Sequence, residues 1–261
     1  MVSETGGLIM IPFKNYLKTD YYKLWKSPIG IIHFFIPIVG LILMLAYFNL
    51  SSWDQLEKVS AYIQVISMAF PLIISIVVTM VYEQEEEAKG FQYFLSAASK
   101  RYLPHISKLF LLFIFGVVST IISILGFGVI FNFIDKEYIS IMFYLKEAAI
   151  VFISNIPLYM IQYLVVFYLG KGSSIGMGII GSLVTALMIT GIGDKIWFVL
   201  PWGCSIRLSS YFFQYEITNN WNLALRGEIK LAIASLIFFT VIAMISLMIF
   251  SNFWEGKKEY S

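Results

Sequence analysis

Six apolar runs of roughly twenty residues recur along the chain, near Ile29–Leu50, Ala61–Tyr82, Leu109–Ile134, Lys146–Leu169, Ile175–Ile192 and Ile229–Phe250. About 20 apolar residues wound as a helix cross about 30 Å of hydrocarbon. In lipid every backbone polar group must be satisfied internally, which a continuous run of this length achieves as a helix. The expected fold is an all-α polytopic membrane protein with six transmembrane helices. Composition agrees: 13% of residues are charged, where a soluble domain carries about 25%. The net charge of +2 is too small to imply a nucleic-acid partner. Cys204, the lone cysteine, can close no intrachain disulfide and has no companion at zinc spacing, so no metal site is expected.

The segments between and before the runs organise the chain into residues 1–28, a six-span membrane domain over 29–250, and a tail over 251–261. No cleavable-signal pattern precedes the first run, which reads as a retained span. From Phe13 to Lys26, Phe13, Tyr16, Leu17, Tyr21, Leu24 and Trp25 recur at three-to-four spacing. Lys14, Lys18, Lys23 and Lys26 fall mostly on the other side. This is the pattern of an amphipathic helix in the headgroup layer, with lysines toward anionic lipid and Trp25 at the interface. Basic residues before the first span and after the second, fourth and sixth place both termini in the cytoplasm.

Within the spans, Pro37, Pro71 and Pro157 each remove a backbone donor and allow a kink. Lys146 and Glu147 lie at the start of the fourth run, where snorkelling to the interface is expected. Asn155 and Gln162 are seven apart and share one helix face. They either line a path for polar cargo or hydrogen-bond a neighbouring helix. Gly172 and Gly176 form a small-xxx-small pair, and Gly178, Ser182 and Ala186 continue a second stripe, marking helix packing within or between chains. Ile196–Leu200, followed by Pro201, is too short to cross. It reads as a re-entrant or interfacial element, with Trp197 and Trp202 at headgroup depth and Arg207, Tyr211, Tyr215 and Trp221 continuing its amphipathic surface.

The longest charged interval is Tyr82–Lys108. Glu83, Glu85, Glu86 and Glu87 lead it, Gly90 and an aromatic patch follow, and Lys100, Arg101 and Lys108 close it. Acids ahead and bases behind suit a helix dipole, so Glu83–Ser99 is expected as a short helix outside the membrane. The catalytic motifs sought do not occur. There is no phosphate-binding glycine loop, nucleophile elbow or H-E-x-x-H, and no catalytic residue is expected. His105 is expected in a loop beside Pro104 and His33 at the interface.

The helix NYLKTDYYKLWKS, the H-x-x-x-P of His33 and Pro37, and E-x-E-x-x-A-x-x-FQ-x-x-L (Glu83, Glu85, Ala88, Phe91, Gln92, Leu95) resemble the permease subunits of type-2 ABC exporters. The likeness is nearest to the lantibiotic-immunity permeases of Gram-positive bacteria, the MutG/EpiG/SpaG-like group. It is best from about Phe13 to Phe131, and residues 1–12 precede the matching region. The resemblance implies a bacterial cell-membrane permease whose hairpin after the second span is a coupling helix, contacting a cytoplasmic ATPase through Glu83, Glu85, Glu86, Glu87, Gly90, Phe91 and Gln92. It further implies two ATPase copies, a second permease subunit, similar or identical, and a cationic peptide antibiotic as cargo. This chain would hold no cofactor; ATP and Mg would sit in the ATPase. A lipid, drug or ion remains the alternative cargo, and an intramembrane enzyme a third reading.

Overall fold

A computed structural model describes residues 13–88, 91–95, 100–135, 139–218 and 223–256. Residues 1–12, Gly90, Trp221 and the tail from 257 lie outside them. Nine helices form among the described residues: α1 Phe13–Trp25, α2 Pro28–Leu50, α3 Gln55–Glu87, α4 Gln92–Leu95, α5 Tyr102–Asp135, α6 Ile141–Leu169, α7 Lys171–Met188, α8 Pro201–Thr218 and α9 Leu223–Phe253. Six of them, α2, α3, α5, α6, α7 and α9, are long and apolar enough to cross a bilayer. The chain is a multi-pass membrane protein.

Local chemistry sets the helix ends. Ser27 accepts the Ile29 N–H at 3.3 Å, and Pro28 occupies the first turn of α2, where its missing donor costs nothing. Asp54 and Glu57 form a capping box at α3, the Asp54 N–H donating to Glu57 at 3.1 Å. Gly170 alone separates α6 from α7. Its φ of +89° is one that side chains disfavour. Helices outrun apolar runs because helical hydrogen bonding continues until something breaks it. Thus α3 starts at Gln55 rather than near Ala61, and it runs on through Glu83 to Glu87. The acids expected at the head of a separate short helix are the last turn of this span. The chain then turns through Phe91, which has a φ of +64°.

The core is built around α6, which packs against α3, α5, α7, α8 and α9. Tyr62 of α3 stacks on Phe127 of α5 at 3.8 Å and donates to the Ser123 carbonyl at 3.0 Å. With lipid as solvent, such interfaces depend on close packing rather than on apolar burial. At α3 against α7, Gly178 leaves room for Ser75 and Gly181 for Trp202 and Pro71, whereas Gly172 and Gly176 face open space. The two stripes of the fifth span therefore differ: the one through Gly178 is filled from within the chain. Ser182 is half-buried.

The segment after α7 corrects the expectation of an amphipathic surface. Helix α8 packs among α3, α6 and α7, and Trp197 is fully buried, its indole N–H donating to Glu228 at 3.1 Å. Arg207 also turns inward. Its guanidinium donates to the Met188 carbonyl, to the Thr190 carbonyl at 2.8 Å and to Asp194 at 2.6 Å. A helix leaves its last carbonyls without partners, and α7 ends at Met188, so the Arg207 fork supplies donors that the chain there lacks.

Cys204 lies in the same packing, fully buried, with its thiol pushed up to about 12 by burial. The thiolate is the reactive form. Maleimide labelling of the folded chain at pH 8 is therefore expected to be at least tenfold slower than labelling after denaturation. Equal rates would show that α8 is not packed as described.

Candidate functional site

The described residues concentrate buried charge where α1, the end of α3 and the start of α5 meet. On α1, Tyr16, Asp20 and Leu24 recur every four residues and all three are buried. Asp20 thus lies on the apolar face of an otherwise lysine-rich helix. Opposite it stand Ser107 and Lys108 of α5, and beside them Glu85 of α3. Asp20, Glu85 and Lys108 are each fully buried.

These groups neutralise one another. The Lys108 ammonium is 2.7 Å from Glu85 and 3.0 Å from Asp20, and Lys23 makes a second ion pair with Glu85 at 3.0 Å. The hydroxyls of Ser107 and Tyr93 donate to Asp20 at 2.6 and 3.2 Å. Lys23 also lies 4.3 Å from the Tyr93 ring centroid, and Gln84 donates to the Lys23 carbonyl at 3.0 Å. Two ammoniums and two carboxylates leave the cluster neutral. Burial pushes the Asp20 carboxyl above its ordinary range, while Lys108 and the Ser107 hydroxyl pull against that.

An aromatic cage adjoins the charges. Phe91 is buried against Tyr82 and Trp254, both at 5.0 Å. Its left-handed backbone costs about 1–2 kcal/mol, which burial of the ring offsets. His105 lies in α5 rather than in a loop: it stacks on Phe94 at 4.1 Å and hydrogen-bonds the Tyr163 hydroxyl of α6 at 3.0 Å. His33, near the start of α2, is buried and bonded to the Ile29 carbonyl at 2.7 Å. No group of three or more His, Cys, Asp or Glu among the described residues could hold a metal.

The residues singled out in the sequence disperse. Glu85 and Phe91 point into the chain. Glu83 and Glu86 pair with Lys171 of α7 at 3.3 and 3.0 Å, and Glu87 and Gln92 are exposed. Lys14, Lys18 and Lys26 are exposed and Trp25 is half so, but Lys23 reaches inward to Glu85. Asn155 donates to its own helix at the Val151 carbonyl, 2.8 Å away, and Gln162 reaches Ser174 of α7 at 3.3 Å. Glu147 does not snorkel; its side chain is fully buried.

Asp20 and Lys108 are the members that sequence reasoning missed. The signal for Asp20 was its register: one acid spaced four from Tyr16 and four from Leu24. Nothing local identified Lys108 as its partner, because the pair is 88 residues apart in sequence.

What the cluster can do is mechanical. Its side chains are engaged with one another in ion pairs and hydrogen bonds. Separating buried opposite charges is costly, because each would be left uncompensated in a medium of low dielectric. Parting the amphipathic helix, the end of the second span and the start of the third would therefore break buried ion pairs. Residues 16–188 match the family model for ABC-2 family transporter protein. No curated protein and no solved structure matches the chain.

Proposed function

Since the chain belongs to the ABC-2 transporter family and is a membrane transport permease, we propose that it is the membrane subunit of an exporter expelling a lantibiotic or similar cationic antimicrobial peptide. Membership implies an ABC ATPase as partner. In this reading two ATPase copies bind on the cytoplasmic side, with a second permease subunit completing the gate and both termini facing the cytosol. ATP and Mg reside in the ATPase.

The observation that carries the coupling is the buried charge cluster. A push on the turn after α3 is transmitted at once to α1 and α5, because Glu85 and Lys108 hold all three together. The contact with the ATPase falls to the outward side of that turn, to Glu87 and Gln92 with Glu83 and Glu86 beside them, while Glu85 and Phe91 brace it from within. The peptide cargo rests on the resemblance of the hairpin and the amphipathic helix to lantibiotic-immunity permeases.

Reversing Glu86 and Glu87 to lysine is expected to reduce ATPase co-purification about tenfold, roughly 1.4 kcal/mol, with membrane insertion unchanged. Undiminished co-purification would remove the docking assignment. Deleting the chain from its host and measuring tolerance to a panel of lantibiotics tests the cargo. Unaltered tolerance to every member would leave the lipid, drug or ion reading in its place.

An apolar groove is compatible with either cargo. A groove of about 1060 Å³ opens between the ends of α6 and α9, lined by Tyr82, Leu164, Phe167, Phe250, Phe253 and Trp254. Such a wall suits an acyl chain as well as the apolar face of a peptide.

A further inference from the structure

Helix α1 divides its charges between two sides. Its one acid, Asp20, is fully buried, and Lys23 turns inward to pair with Glu85 at 3.0 Å. Lys14, Lys18, Tyr22 and Lys26 recur every four residues along the other side, and all four are exposed. The buried cluster thus withdraws the only negative charge of α1 from its outer surface, where lysines alone are left. The helix also turns its apolar side to the protein, since Tyr16 and Leu24 are buried in the bundle.

Where that surface ends, a cleft of about 410 Å³ opens between Trp25 and the first turns of α2. Ile31, Phe34, Phe35 and Ile38 recur at three-to-four spacing down one face of α2 and form one wall. Trp25 forms the other. Tyr21 and Phe115 of α5 stack on its ring at 6.0 and 6.2 Å, and Phe34 meets it edge-on at 5.8 Å. The indole is therefore held in place although half of it is exposed. Gly30 lies where the two helices meet. A Cβ there would come within 3.1 Å of the Leu24 and Trp25 carbonyls, so the close approach of α1 to α2 depends on its absence. Every lining residue is apolar, and α2 is long and apolar enough to cross a bilayer. From Ile31 to Ile38 the stripe runs about 10 Å at about 1.5 Å per residue, which fits within one leaflet of about 15 Å of hydrocarbon. An apolar slot within one leaflet, with Lys26 next to its wall residue Trp25, matches a molecule that joins an acyl chain to a negatively charged head.

We propose that the α1–α2 cleft is a binding site for an anionic phospholipid. The acyl chain lies along Ile31, Phe35 and Ile38, and the phosphate sits beside Lys26, with Lys18 and Lys14 enriching such lipid nearby. Bound lipid thereby holds the leading helix to the bilayer from the side opposite its ion pairs. The site stands whatever the cargo is and whichever face of the membrane α1 occupies.

The test puts photoreactive benzoylphenylalanine in place of Phe35 in the full-length chain, in vesicles of equimolar phosphatidylglycerol and phosphatidylcholine, and reads adduct masses after illumination. Phe35 is exposed, so the larger side chain disturbs no core packing. The phosphatidylglycerol adduct is expected to exceed the phosphatidylcholine adduct about fivefold, the preference that one well-placed lysine supplies. The same group in place of Phe238, exposed on α9, is expected to give a ratio close to unity. In K14Q/K18Q/K26Q the ratio at position 35 should fall to that level. Equal ratios at positions 35 and 238, or a preference at 35 that survives the triple variant, would overturn the proposal. So would crosslinking to a second copy of the chain or to residues 1–12, either of which puts protein in the cleft. Should the triple variant fail to insert, about 1 M salt takes its place, because a Debye length of about 3 Å screens headgroups from lysines. An undiminished preference in that salt would overturn the proposal equally.

Discussion

Replacing Lys108 with methionine is expected to destabilise the chain by about 3–5 kcal/mol and to free α1 from the bundle. The substitution keeps most of the side-chain volume but leaves Asp20 and Glu85 buried with one ammonium, Lys23, between them. Limited proteolysis at α1 and thermal unfolding in lipid or detergent would read the change. The triple variant K108M/D20N/E85Q is expected to recover much of the loss, since a neutral set has no uncompensated charge to bury. Ordinary stability and protease resistance in K108M would show that the charges are not what joins α1 to the spans. If the cluster transmits ATPase movement, the triple variant should fold but uncouple. ATP hydrolysis by the partner would then no longer depend on cargo.

Gly178 carries the second large expectation. A Cβ at this position would overlap the Ser75 side chain and meet the Pro71 carbonyl at 3.1 Å, and both belong to the α3 face on which α7 rests. Substitution by leucine is expected to cost about 1–3 kcal/mol. At about 2–4 °C per kcal/mol for a chain of this size, the melting temperature should fall by several degrees. Leucine at Gly176, which has nothing within 4 Å, is expected to leave chain stability unchanged. If G176L nonetheless weakened association with a second permease, the open stripe would be the interchain contact. Equal melting for G178L and wild type would refute the close α3–α7 packing.

Much of the architecture was legible in the sequence because lipid permits so few backbone solutions. Apolar runs near twenty residues can only be helices, and the helices formed at each of the six runs. Their ends were less legible. Hydropathy marks where lipid stops, whereas a helix stops where its hydrogen bonding is interrupted, so α3 carries its glutamates as a last turn that the charge pattern assigned to a new helix. The small-residue stripes were visible, but only the fold distinguished Gly178 against Ser75 from Gly176 in the open.

The candidate site was half legible. The acidic hairpin stood out as a block, yet its members have different fates within a single turn: Glu85 inside, Glu83 and Glu86 on Lys171, Glu87 outside. Arg207 is expected on an amphipathic surface, Trp197 at headgroup depth and His105 in a loop, and all three are buried because each has partners contributed by other segments.

By itself the sequence determined that this protein is a helical membrane protein with an amphipathic leading helix, since both follow from periodicity and length over contiguous residues. Only the tertiary structure decided that Asp20 and Glu85 form one neutral cluster with Lys108 and Lys23 and that Glu147 is buried. The physical reason is that the cost of a buried charge depends on the few ångströms around it, and those are filled by residues far away along the chain.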